Sequence, residues 1–96
     1  MKVKNKVAGV SLKTLYKEKG SNLKYGKIIK TIEDGNEYYD LYDLSGEYVC
    51  SDGEVCEIVW ENEHEIKLLN NYGDYDTVFT LTKEEFGIGY FYGYLE

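Results

Sequence analysis

From Gly26 onward the chain alternates apolar and polar residues with a period of two, in short β-branched or aromatic runs set apart by Gly, Asp and Asn. The runs fall at 27–33, 37–44, 47–51, 54–61, 65–70, 75–81 and 88–95, and each predicts a strand. Asp34-Gly35, Ser51-Asp52-Gly53 and Asn71-Tyr72-Gly73-Asp74 supply the positive-φ positions that hairpins need, so sequential antiparallel pairing is the simplest topology. Before Gly26 the pattern differs. Ser11 is placed as an N-cap, Val10 and Leu15 as a hydrophobic staple, and Gly20 as a terminator, which predicts a helix over 12–19. The expected fold is mainly β (β-rich α+β), an antiparallel meander forming a small barrel or sandwich with one short N-terminal helix.

The turn at 51–55 allows a register to be argued. A two-residue loop pairs Ser51 with Glu54 and mixes charge into an apolar face. A three-residue loop pairs Ser51 with Val55 and so Cys50 with Cys56, leaving Tyr48, Cys50, Cys56, Ile58 and Trp60 on one face. The second register is preferred, and the two thiols are read as small buried hydrophobes. The expected core comprises Ile28, Leu41, Val49, Ile58, Trp60, Ile66, Leu68, Phe79, Leu81 and Phe86.

Composition narrows the class. The 96 residues carry 43% hydrophobic and 16% aromatic residues, too apolar for a disordered tail, and they suit one domain spanning 1–96. Two cysteines do not make a disulfide framework, and they are read as free thiols. No apolar run is long enough for a signal peptide core or a membrane-spanning helix, so a soluble protein of the bacterial cytoplasm is expected. Arginine, proline and glutamine are absent while Lys, Asn, Ile and Tyr abound, a usage that fits an AT-rich genome such as that of a low-GC bacterium, its phages or its plasmids.

Charge is divided along the chain. Residues 1–32 hold nine lysines and one acid, for +8, whereas residues 33–96 hold two lysines against seventeen acids, for −15. A lysine-rich segment, 1–26, thus precedes an acidic β body, 27–96. Either the segment folds back to neutralise the body, or it stays partly free while the body offers its carboxylates to a basic partner. The net charge of −7 disfavours direct binding to nucleic acid or to an anionic membrane.

Candidate chemistry is sparse. His64 sits among Glu61, Glu63 and Glu65 with no Ser or Cys nucleophile nearby in sequence. Zinc through Cys50, Cys56 and His64 lacks a paired C-x-x-C and a fourth ligand. Asp74-Tyr75-Asp76 and Asp34-Gly35-Asn36-Glu37 lack the ligand alternation of a calcium loop, and Glu84-Glu85 do not face each other across a substrate. Gly87-Ile88-Gly89 leads into a strand rather than a helix, which argues against phosphate binding. No catalytic residue, metal or cofactor is therefore assigned. The acidic partner-binding candidates are Glu57, Glu61, Glu63, Glu65, Asp74 and Asp76. At the carboxyl end Tyr90, Tyr92 and Tyr94 alternate with Phe91, Gly93 and Leu95, giving either a core-filling strand or an aromatic contact strip that Tyr38, Tyr39 and Tyr42 extend.

Over 54–61, 65–70 and Thr77-Val78-Phe79-Thr80-Leu81-Thr82-Lys83-Glu84-Glu85-Phe86, about half the sequence, the chain resembles small SH3-like accessory modules of phages and conjugative elements. The resemblance lies in a hairpin pattern closed by a Thr-Lys-Glu-Glu turn, and it brings no catalytic residue. In size, acidity and coding bias the chain is also similar to anti-CRISPR and anti-restriction proteins, several of which imitate nucleic acid with carboxylates. The resulting expectation is a non-enzymatic inhibitor from a mobile element that occupies the nucleic-acid channel of a basic host protein, such as a CRISPR or restriction nuclease. The alternatives are an accessory module that docks a protein through the tyrosine strip or a sheet edge, and a small enzyme.

Overall fold

A computed structural model describes residues 5–70, 77–88 and 90–95. The fold is mainly β, with two antiparallel sheets and two short helices: β1 (Asn5–Val10), α1 (Leu12–Lys19), β2 (Gly26–Glu33), β3 (Asn36–Asp43), β4 (Tyr48–Ser51), β5 (Val55–Glu61), β6 (Glu65–Asn70), β7 (Thr77–Thr82), α2 (Lys83–Ile88) and β8 (Tyr90–Leu95). One sheet runs β7-β6-β5-β1-β8 and the other β2-β3-β4. Their inner faces share one core that includes Ile28, Leu41, Val49, Ile66, Leu68, Phe79, Leu81 and Phe86, all expected there. Gly26 lets the two sheets come close together: a Cβ there would lie 2.6 Å from the Tyr42 carbonyl of its own sheet and 2.8 Å from the Phe79 ring of the other.

The lysine-rich segment is built into the fold. Val7, Ala8, Gly9 and Val10 are buried, and β1 lies between β5 and β8 with antiparallel pairing on both sides. A run buried on both faces shows no alternation, so the period-two pattern passed over it. Helix α1 has the expected bounds, buries Leu12 and Leu15, and ends at Gly20 with φ +79°. Its cap differs. The Ser11 hydroxyl turns to Thr14 at 2.9 Å, and the Lys13 N–H donates instead to Asp52 Oδ1 at 3.0 Å, across 39 residues of sequence.

Several expectations are corrected. The single helix becomes two, because Thr82-Lys-Glu-Glu85 is a capping box: the Glu85 N–H donates to Thr82 Oγ1 and the Thr82 N–H to Glu85 Oε1, both at 3.2 Å. The 51–55 turn is no hairpin. There the chain crosses from β4, paired with β3, to β5, paired with β1 and β6. The Cys50 and Cys56 side chains are nevertheless both buried in the shared core, close enough to shift each other's titration. The Cys56 sulfur, and then burial, push the Cys50 thiol up. Trp60 is 43% exposed rather than in the core, and Ile58 is only partly buried. An irregularity between Ile58 and Trp60 shifts the phase of β5, so Trp60 stands opposite Lys67, between the inward Ile66 and Leu68. Lys67 Nζ then lies 4.9 Å from the Trp60 ring centroid, a cation–π contact on the outer face.

Candidate functional site

The β2–β3 pairing sets which side chains share a face. Lys27, Ile29, Thr31 and Glu33 stand opposite Tyr42, Asp40, Tyr38 and Asn36, and this set faces away from the core residues Ile28 and Leu41. Strand β4 covers β3 only at Asp40, Leu41 and Tyr42. Residues 36–39 of β3 run on past its end, save that the Asp52 N–H donates to the Tyr39 carbonyl at 2.9 Å.

A cleft of about 350 Å³ lies here, lined by Thr31, Glu33, Glu37, Tyr38, Tyr39, Asp40, Ser51 and Asp52. Four of these residues are acidic, with Glu33 and Asp40 on the outward face of the sheet and Glu37 on the face of Tyr39. Glu37 accepts the Tyr39 hydroxyl at 2.9 Å and pairs with Lys30 at 3.4 Å, and these two partners, Tyr39 first, hold its carboxyl below the usual range. Asp40 accepts the Ser51 hydroxyl at 2.7 Å, and Asp52 accepts the α1 bond described above. Lys30 is the one cation paired into the cleft among the described residues. Beside the cleft, the Tyr42 and Tyr48 rings meet edge to face at 5.8 Å. The Tyr48 ring is 41% exposed, but its hydroxyl is drawn inward between Ser51 at 2.6 Å and Glu54 at 3.0 Å, and burial pushes its pKa up to about 12.

The sequence-predicted acids are spread over a different part of the surface. Glu61, Glu63 and Glu65 surround the β5–β6 turn, where Asn62 Oδ1 accepts the N–H groups of His64 and Glu65, each at 2.8 Å. Glu61 is tied to Lys83 at 2.5 Å, and Glu65 accepts the Tyr25 hydroxyl. Glu63 points to solvent, with its carboxylate 3.9 Å from His64 Nε2. Glu57 is half-buried on the outer face of β5, opposite Val7 and Leu69. Asp74 and Asp76 lie outside the described residues. Strand β8 sets Tyr90 and Tyr92 opposite the fully buried Val10 and Ala8, and Tyr94 opposite Lys6, but the side chains of this strand lie outside the description. Of the tyrosines expected to extend the strip, Tyr39 is buried at 4% exposure, packed at 5.5 Å on Tyr16; Tyr38 is exposed and Tyr42 intermediate.

The sequence did not single out the cleft, because Asp52 lies far along the chain from Glu33, Glu37 and Asp40 and only strand pairing brings it beside them. The alternation of Thr31 and Glu33 with Tyr38 and Asp40 across a two-residue turn was the available signal. Among the described residues no three His, Cys, Asp or Glu side chains gather to hold a metal ion. None of the described helices is long and apolar enough to cross a membrane. Comparisons with family models, curated proteins and solved structures find no match to this chain.

Proposed function

We propose that the chain is a non-enzymatic acidic binding protein that occupies a basic nucleic-acid channel of a partner, its carboxylates standing in for phosphates. The observation that supports this reading best is that Glu33, Glu37, Asp40 and Asp52 all line one cleft beside the uncovered length of β3, where Lys30 is paired with Glu37. Such a concave field attracts Lys- and Arg-lined surfaces, steers their approach, and repels nucleic acid itself. Glu63 and Glu57 add charge on a different part of the surface, whereas Glu61 and Glu65 have structural partners and contribute less than their charge suggests. A host defence nuclease of a bacterium is the partner class proposed, with the bacterial cytoplasm as the compartment.

A second reading is favoured by the same uncovered strand: a docking module that receives an extended segment at a sheet edge, in keeping with the proposed kinship to SH3-like accessory modules. One experiment separates the two. Capture from a bacterial lysate, with mass spectrometry, is run with the native chain and with a Glu33→Lys, Asp40→Lys, Glu57→Lys, Glu63→Lys variant at two salt concentrations. Mimicry predicts nucleic-acid-binding proteins that are displaced by DNA or RNA, released by salt and lost to the variant. Capture that survives both salt and reversal rejects mimicry and supports docking.

A further inference from the structure

The outer edge of β2, whose Thr31 and Glu33 also line the cleft, carries a further inference. At Ile28 both backbone groups turn away from β3: its N–H donates to the Ser21 carbonyl and its C=O accepts the Ser21 hydroxyl, each at 2.8 Å. Pairing of β2 with β3 runs without a register shift from Gly26 to Glu33. Strand alternation therefore directs the N–H and C=O of Lys30 and Ile32 outward as well. Among the described residues no hydrogen bond reaches these four groups. Among the described residues the edge has none of the usual protections beyond its lysines: no proline, no bulge, no covering element past Ile28, and an Ile32 side chain that is 65% exposed.

Charge identifies what fits. Strand β2 and its turn are basic at one end, with Lys27 and Lys30, and acidic at the other, with Glu33 and Asp34. An antiparallel copy of the same strand meets each end with its opposite. We propose that the protein forms a two-fold dimer in which β2 pairs antiparallel with β2 of a second copy, in the register centred on Thr31. Lys30 of each copy then pairs with Ile32 of the other, and both outward positions of each strand are used, giving four hydrogen bonds. Thr31 meets Thr31, a favourable cross-strand pair, and Lys27 lies diagonal to Glu33 of the second copy, within reach of a long side chain. A register centred on Lys30 sets two lysines face to face. One centred on Ile32 pairs Lys30 with Asp34, which at φ +50° is turn and not strand. The Thr31 register avoids both costs and joins the two three-stranded sheets into one of six.

Sedimentation over a concentration series tests this. The expected result is a mass rising from 11.1 kDa towards twice that value. Thr31→Lys and Thr31→Glu should each be monomeric, through like charges at the two-fold axis, and their mixture should recover a heterodimer. Ile32→Pro deletes an outward N–H that β3 does not use, so it should weaken the dimer while circular dichroism stays native. A native chain that is monomeric at every concentration overturns the proposal and leaves the edge for a strand of a different protein. A dimer unaffected by Thr31→Lys and Ile32→Pro overturns it as well.

Discussion

At Trp60 one backbone irregularity decides the role of the largest side chain in the protein. A Trp in phase with Cys56 and Ile58 would be core; shifted by the bulge, it lies against Lys67 on the outer face. Trp60→Ala should therefore cost only about 1 kcal/mol in urea unfolding, whereas Phe86→Ala, at 2% exposure, should cost about 3–5 kcal/mol. Equal losses would show that Trp60 is buried after all. Asp43 shows a residue acting through its protonation state. Its carboxylate accepts the Ser45 hydroxyl at 2.6 Å and the N–H groups of Ser45 and Glu47 at 2.9 Å, and these bonds, the hydroxyl first, hold it below its ordinary 3.8. A depressed carboxyl contributes stability above its unfolded pKa and loses it as pH falls through the folded value. Asp43→Asn should accordingly flatten the acid limb of a stability-against-pH curve and leave its shape above pH about 6 unchanged.

The two helices owe their ends to side chains of different reach. For α2 the Thr82–Glu85 box is local, and Glu85 also accepts the Lys24 N–H at 3.0 Å, so one 8%-exposed carboxylate serves both the helix and the loop before β2. Glu85→Ala leaves those donors without their acceptor and should cost about 1–3 kcal/mol. For α1 the cap comes from Asp52 in the β4–β5 turn, and Asp52→Ala should cost about 1 kcal/mol, more than Ser11→Ala. Thermal unfolding of the three variants gives the order; a larger loss at Ser11 would restore the local cap read from the sequence. Ser11, Gly20 and the Val10–Leu15 staple made the extent of α1 legible, because helix ends carry local signals. The T-x-x-E signature of α2 is equally local, but a Thr-Lys-Glu-Glu segment after a strand suits a turn as well as a helix start.

For the whole molecule, the consequence is that the lysine-rich start is structural. Strand β1 joins β5 to β8, so removing residues 1–10 should abolish cooperative urea unfolding; retention of a sharp transition would show that the body folds without it. The same segment brings lysine to the acidic body in the Lys19–Glu84 pair, and Lys30–Glu37 adds a pair within the body, so part of the charge division is neutralised within the fold. Sequence alone determined the mainly β character, the extent of α1, the approximate strand positions from β2 to β7 and most of the core, because periodicity, capping and turn chemistry act between residues a few positions apart. Only the tertiary structure decided that the strands divide into two sheets at Asp52-Gly53, that Val7–Val10 takes an interior position in one of them, and that Glu33, Glu37, Asp40 and Asp52 share a cleft. Those outcomes depend on which strands pair and which faces stack. Such pairings bring together groups tens of residues apart, and the choice among them lies in the fit of the packed whole, which no local pattern along the chain records.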